Sequence, residues 1–368
     1  MKNPKPDKSK SEQTRLSVDA LEEQRLAEIL VRQLLVDSDE VELAAPRPGD
    51  ELGPRHLVQR LRQRGLITNH QAQRLLSRLD DLLGQGIPGY ELIERIGQGS
   101  TAQVFKARQL GADRLVALKV MPNRPGRPVA EAEKFLTLAK GWGRLRHPRI
   151  VQVLDAGSSP FPYCALEYVP VPSMDRDPRV ARRDKPLTER ELARIGLQVA
   201  EGLAYLHKNG VIHRDIKPAN LFMLEDKSLL IGDLGLAQWG GVDPHRAREQ
   251  GLALGSPYYM PPEQIANDPP LDGRADLYAL GVTLFQLATG KVPYPGGNPD
   301  QVHQQHLEAP VPKVTASRPD LSTAFGETFS NLMAKDVGHR PVGAEAVVEM
   351  FARLEARAIL GPVGKPVR

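Results

Sequence analysis

His213-Arg214-Asp215-Ile216-Lys217-Pro218-Ala219-Asn220, followed closely by Gly232-Asp233-Leu234-Gly235, is the stretch on which the reading of this 368-residue chain turns. It sets an Asp, a Lys and an Asn at fixed offsets in one loop, then a second Asp at the end of an apolar run. A bare His-Arg-Asp triplet is common by chance, and a polar turn between two strands has no need of the remaining groups. Together they have a chemical logic. One carboxylate can orient a hydroxyl and take its proton. An ammonium stands beside it, and an amide with a second carboxylate supplies the oxygen donors that a hard divalent cation takes. Transfer of a phosphoryl group from a metal-bound nucleotide calls for that combination.

The rest of the chain is compatible with this chemistry. Its length allows two or three lobes, each with a sizeable core. Hydrophobic and charged residues make up 40% and 26%, which is ordinary for a soluble protein. The net charge of +4 is dispersed: residues 1–88 hold 14 of the 49 basic and 14 of the 45 acidic side chains. There is no basic arm, and no nucleic-acid partner is expected. Cys164 is the single cysteine, which rules out an intrachain disulfide and fits a reducing compartment. It lies in the apolar run Tyr163-Cys164-Ala165-Leu166, where a buried strand residue is expected rather than a reactive thiol. No stretch approaches 18 apolar residues, and Met1-Lys2-Asn3-Pro4-Lys5-Pro6 lacks the apolar core of a signal peptide. These features predict a cytoplasmic protein with no membrane contact.

Hydrophobic periodicity divides the chain. Residues 1–15 carry none and read as a disordered tail. Residues 16–84 read as a helical module. A first helix begins near Asp19 and Glu22 and carries Leu26, Ile29, Leu30 and Leu34 at helical spacing. A second has Pro54 in its first turn, Leu57, Val58 and Leu61 on one face, and Gly65 to end it. A third starts at a capping box of Thr68 and Gln71 and bears Ala72, Leu75, Leu76, Leu79 and Leu83. Residues 85–89 form a linker. Short β-type runs follow at Leu92–Ile96, Val104–Ala107, Leu115–Val120, Ile150–Leu154 and Tyr163–Val169, with a charged helical segment over 129–140. Helices are then predicted over 188–207, 274–289, 323–334 and 344–358, and 355–368 is assigned to a C-terminal tail into which the last of them extends.

The loop of Asp215 and Asn220 resembles the catalytic loop of eukaryotic-type protein kinases, and its Lys217-Pro218-x-Asn220 form resembles the serine/threonine branch. The resemblance covers about residues 90–354. It implies an α+β, two-lobed protein-kinase-like fold, with a small antiparallel β-rich lobe, a large helical lobe, and the helical module ahead of them. Ile96-Gly97-Gln98-Gly99-Ser100-Thr101-Ala102-Gln103-Val104 resembles the glycine-rich loop and lies 22 residues ahead of Lys119, counted from Gly97. Ala102 replaces the third glycine. The implied ATP contacts are Ile96, Gly97, Gly99, Val104, Ala117, Lys119, Glu167 and Val169, the last two from a hinge segment whose backbone would bond adenine. Lys119 would contact the α- and β-phosphates, Asp215 would orient the substrate hydroxyl, and Lys217 would neutralise the γ-phosphate. Asn220 and Asp233 would hold Mg²⁺. Leu234 replaces the Phe of the Asp-Phe-Gly triplet.

Supporting elements match as well. Gly255-Ser256-Pro257-Tyr258-Tyr259-Met260-Pro261-Pro262-Glu263 resembles the substrate-proximal loop, and its Glu263 would pair with Arg340. Asp276 would brace the catalytic loop. The implied function is transfer of the γ-phosphoryl group of ATP to Ser or Thr hydroxyls of a protein substrate. The alternative is a pseudokinase, an ATP-binding or interaction module.

Two departures bear on that choice. The family pairs its β3 lysine with a glutamate on the αC helix, and the register counted from His147-Pro148 puts Leu138 there, 19 residues after Lys119. Glu131 stands two turns away on the same face, about 10 Å along a helix axis. Gly141 and Gly143 allow a longer connection that slides Glu133 into register, so both registers remain open. Between Leu234 and Gly255 there is no Ser, Thr or Tyr to phosphorylate, which leaves Asp243 or Glu249 as acids for Arg214. The module at 16–84, whose Arg64-Gly65-Leu66-Ile67-Thr68 turn resembles a segment ahead of some bacterial kinases, is expected to pack on itself or on its own lobe, with a protein partner as the other candidate.

Overall fold

The computed structural model describes residues 19–20, 22–31, 35–47, 50–77, 79, 87–98, 102–121, 129–158, 161–181, 186–233, 238–239, 256–266 and 271–360. The expected tail at 1–15 lies outside them. The chain forms two compact units, Met1–Gly143 with Val153–Tyr168, and Arg144–Gln152 with Val169–Arg368.

The first unit begins with helices. Residues 22–31 form α1, followed by α2 (Ser38–Leu43), α3 (Pro54–Gln63) and α4 (Asn69–Ser77). Local chemistry sets their ends. Asp37 and Glu40 cap α2 reciprocally, and Pro54 opens α3, where its missing N–H costs nothing. Gly65 takes φ 72° just beyond α3, a conformation that penalises any Cβ. Thr68 and Gln71 exchange hydrogen bonds of 2.7 and 3.2 Å ahead of α4, as the capping box predicts. One core of Leu26, Leu30, Leu57, Val58, Leu61 and Leu75 joins the helices.

A buried ion pair crosses this core. Glu23 meets the Arg60 guanidinium and accepts the Gly53 N–H at 2.7 Å. Arg60 also donates to the carbonyls of Ala44 (2.9 Å) and Glu51 (3.1 Å). Burial pushes the Glu23 carboxyl above its usual range, and the Gly53 N–H and Arg60 only partly offset it.

The same unit holds a five-stranded antiparallel sheet in the order β1-β2-β3-β5-β4. Its strands are β1 (Tyr90–Gln98), β2 (Gln103–Gln109), β3 (Arg114–Val120), β4 (Val153–Gly157) and β5 (Tyr163–Glu167). Alternation along β3 sends Val116, Leu118 and Val120 into a core with Phe105 and Ala165. Ala117 and Lys119 therefore take the other face. Helix α5 (Val129–Trp142) packs on β4 and β5.

One strand differs from its prediction. The apolar run Ile150–Leu154 reads as a single strand, but only Val153 onward joins this sheet. Ile150 instead bridges Ile231 in parallel, and the Val151 N–H donates to the Ile231 carbonyl at 2.9 Å. The run is apolar throughout because it serves two pairings, and periodicity cannot mark the handover. The strand expected to reach Val169 ends at Glu167.

The second unit is helical, its shorter helices being α6 (Pro178–Ala181), α8 (Pro262–Ala266), α11 (Val314–Ser317) and α12 (Thr323–Leu332). Helix α7 (Glu189–Lys208), capped by Thr188 and Glu191, packs against α13 (Ala344–Leu360), which runs past the predicted residue 358. Contact is close at Gly196, where a Cβ would stand 2.6 Å from the Phe351 ring. Helix α9 (Arg274–Thr289) is buried almost along its length and ends at Gly290, φ 72°. Two small ribbons carry the loops that matter: β6 (Val211–Ile212) with β9 (Gln238–Trp239), and β7 (Leu221–Met223) with β8 (Leu229–Ile231).

Candidate active site

The loop from His213 to Asn220 leaves β6 and returns through a 3-10 turn at Pro218–Asn220 into β7. Asp276, fully buried near the start of α9, braces it. Its Oδ2 accepts the His213 N–H at 2.8 Å and sits 2.8 Å from His207 Nε2, while Oδ1 accepts the Arg214 N–H at 2.8 Å. Burial opposes ionisation of this carboxyl, yet the hydrogen bond and charge of His207, with His213, outweigh it and hold the group below its usual range. His213 is buried too. Its Nδ1 faces the Asp215 N–H at 3.2 Å and so accepts, which leaves Nε2 to donate to the Gly232 carbonyl at 3.2 Å. That bond ties the loop to the segment carrying Asp233.

Within the loop the expected groups converge. Lys217 Nζ lies 2.6 Å from Asp215 Oδ2. Asn220 Nδ2 donates to the Asp215 carbonyl (2.7 Å) and to its Oδ2 (3.0 Å). The amide nitrogen is thereby committed to Asp215, and the amide oxygen is turned away from it. Arg214 and Asp233 have φ of 67° and 54°, two of only four non-glycine residues at positive φ among the described residues. Such backbone costs of order 1–3 kcal/mol each, and persists here because the bracing bonds over-determine it. Gly232 permits no side chain: a Cβ there would lie 2.8 Å from the Phe222 ring.

Ser256 adds a contact whose geometry no local sequence pattern signals. Its hydroxyl accepts from Lys217 Nζ at 2.6 Å and donates to Asp215 Oδ1 at 3.1 Å. Both oxygens of Asp215 are thus oriented by neighbours, on a loop that is itself fixed. A carboxylate so held can orient a hydroxyl and receive its proton, with an ammonium adjacent to the charge that moves. Farther along, Glu263 and Arg340 form the expected pair as a two-bonded fork at 2.7 and 2.8 Å. Arg214 Nε and Nη2 are buried with no hydrogen-bond partner among the described residues, and burial lowers the guanidinium's pKa. The acids suggested for it, Asp243 and Glu249, lie outside the described residues, as do Leu234 and Gly235.

The first unit carries the other predicted positions. Strand register places Gly97 opposite Val104, Val104 opposite Lys119, and Lys119 opposite Cys164. Cross-strand partners share a face, so Gly97, Val104 and Lys119 form one row on the sheet face turned away from Phe105 and Leu118. Ala117 lies on that face, paired with Leu166. Ile96 is partly exposed on β1, and Glu167 ends β5 with its side chain exposed. Gly99 lies outside the described residues, and Val169 belongs to the second unit.

The αC question is sharpened. Glu131 and Leu138 are both half-buried on one side of α5, whereas Glu133 is exposed and enters no ion pair among the described residues. A continuous helix from Val129 to Trp142 runs through Gly141, so no early helix end lengthens the connection.

The protein kinase domain family model matches residues 90–351. The serine/threonine-protein kinase pkn3 of Myxococcus xanthus is 34% identical over 278 residues, covering 73% of this chain and 50% of that protein. The DNA damage-responsive serine/threonine-protein kinase RqkA of Deinococcus radiodurans is 35% identical over 269 residues, 72% of this chain and 39% of that one. PknB of Mycobacterium tuberculosis is 32% identical over 257 residues, 68% and 40% respectively. The chain spans half or less of the length of these relatives. No helix among the described residues is long and apolar enough to cross a membrane.

Proposed function

We propose that this chain, which belongs to the protein kinase family, transfers the γ-phosphoryl group of ATP to Ser or Thr hydroxyls of a protein substrate. The observation that carries the reading is the state of Asp215, held by Lys217, Asn220 and Ser256 on a loop fastened to buried Asp276. Asp215 orients the acceptor hydroxyl and takes its proton, and Lys217 meets the charge on the transferring group. Lys119, in its row with Gly97 and Val104, positions the nucleotide phosphates; Ile96, Ala117 and Glu167 are the other assigned contacts on this unit.

Use of ATP goes with the family, and Mg²⁺ is our assignment. The donors fit it: Asn220 commits its amide nitrogen to Asp215, and its oxygen with the Asp233 carboxylate makes a sparse all-oxygen set. Mg²⁺ is typically bound by one or two such groups plus waters and phosphate, and it would supply charge neutralisation. We assign the catalytic domain to residues 90–354 and a separately cored helical module to 16–84, for which a protein partner is a candidate. The lone Cys164, buried in β5, supports a reducing, cytoplasmic setting.

A second reading, a pseudokinase, has one observation in its favour: Glu133 is exposed, and the count back from His147-Pro148 puts Leu138 where the family's αC glutamate is expected. Incubating the purified chain with labelled ATP, Mg²⁺ and a Ser/Thr peptide library separates the two. Label on phosphoserine or phosphothreonine supports the transferase. Nucleotide binding with no transfer to peptide or to the chain itself would establish the pseudokinase.

A further inference from the structure

Ser256 can hold Asp215 only if its own segment is held, and the fastening lies in the helical unit away from the catalytic loop. The segment runs through a 3-10 turn, Pro257–Tyr259, closed by the Tyr259 N–H on the Ser256 carbonyl at 3.0 Å. Two residues beyond Ser256, the Tyr258 carbonyl lies 3.1 Å from Nε2 of His306, a residue of α10 (Pro299–Glu308) with no exposed surface. A carbonyl only accepts, so Nε2 carries the proton, and Nδ1 then accepts from the Tyr278 hydroxyl at 2.8 Å. His306 is therefore a neutral imidazole in one fixed tautomer.

Its surroundings leave the ring no alternative. Tyr294 meets its edge at 4.8 Å, and Lys335 Nζ, 4.0 Å over the Tyr294 ring, donates to the His306 carbonyl at 2.6 Å. The Arg340 guanidinium, which forks onto Glu263, covers the Tyr278 ring at 4.8 Å. A continuous chain of contacts, buried at Arg340, Tyr278 and His306, thus runs from the Glu263–Arg340 pair to the Tyr258 carbonyl, and by one tight turn to Ser256 and Asp215.

We infer that His306 is a positioning residue for the protein substrate: it sets the Tyr258 carbonyl, and through the turn the Ser256 hydroxyl, so that an acceptor hydroxyl meets Asp215 in line. This rests on the transferase reading above. A displacement of about 1 Å at a reacting group costs up to roughly 100-fold in rate. Of the groups assigned to the nucleotide, Lys217 alone touches this chain, through the Ser256 hydroxyl.

The test uses the full chain with ATP, Mg²⁺ and a peptide that the wild type phosphorylates. His306→Leu removes both ring nitrogens and should lower peptide kcat/KM by about 10- to 100-fold while the KM for ATP stays within twofold. Amide exchange over 256–260 should rise. His306→Gln, which returns an N–H near the Nε2 position, should recover part of the loss. If His306→Leu does not fold, Tyr278→Phe frees the tautomer with less disturbance and should lower peptide kcat/KM severalfold.

A folded His306→Leu protein with peptide kcat/KM within twofold of wild type would overturn the inference. So would an equal rise in the KM for ATP, a Gln variant no better than Leu, or an unaffected Tyr278→Phe protein when Leu cannot be folded. A wild type that phosphorylates nothing would remove the transferase reading and this inference with it, whereas an active wild type with an indifferent His306 removes the inference alone.

Discussion

Replacing Asp276 with Ala should damage the catalytic loop without touching any residue that meets substrate. The side chain accepts three bonds of 2.8 Å, from His207 Nε2 and the His213 and Arg214 backbone N–H groups. Removing it leaves those donors without their acceptor, at a cost of about 1–3 kcal/mol each. Relaxation of Arg214 out of its positive φ returns part of that, because the strain is worth of order 1–3 kcal/mol. The net loss should be about 3–5 kcal/mol, in the range for breaking a buried polar network. Asp276→Asn should fall near half of that, since its one oxygen can serve either the His213 side or the Arg214 side. Urea unfolding followed by tryptophan fluorescence and circular dichroism reads the stability. Phosphotransfer at native conditions should fall about 100-fold as Asp215 loses its fixed position. An Ala variant losing under 1 kcal/mol with unchanged turnover would show that the loop does not depend on Asp276.

Three further outcomes follow from particular contacts. Arg340→Ala should cost about 3–5 kcal/mol by stranding half-buried Glu263, and the Glu263→Ala/Arg340→Ala pair should cost clearly less than the sum, measured by a double-mutant cycle. Burial holds His306 neutral with a pKa pushed down to about 3, so between that value and about 6.5 the unfolded chain binds more protons and stability rises with pH. Lowering the pH from 7.5 to 5 should therefore remove about 2 kcal/mol through this group, and urea midpoints of His306→Gln should show a flatter profile. Lys119→Met should cut phosphotransfer by 100-fold or more through misplaced phosphates, with unfolding midpoints near those of wild type, since Lys119 lies on the sheet face away from the Phe105 core.

Much of this molecule is written locally. Capping at Thr68, the break at Gly65, and the alternation along β3 that turns Lys119 away from the core all follow from neighbours a few residues apart. The catalytic loop was legible for the same reason: Asp215, Lys217 and Asn220 sit within six residues, and their spacing is their geometry. What escaped the sequence is contact across distance. Nothing near His306 announces that it meets Tyr258, and nothing near Glu23 announces Arg60. The Ile150–Leu154 run misled because an apolar stretch shared between two pairings has no periodicity to divide it. The helix α5 half-buries Glu131 and Leu138 and leaves Glu133 exposed, a difference that the spacing of acids along the sequence does not announce. Gly141, read as a possible helix end, lies inside the helix, which runs on to Trp142.

Wild type and Asp215→Asn, compared in a single-turnover assay with labelled ATP and Mg²⁺ beside a direct measurement of ATP affinity, test the central claim most directly. The account predicts that transfer falls roughly 100- to 10,000-fold while ATP affinity stays within a few-fold of wild type. Transfer by the Asn variant at the wild-type rate would contradict it.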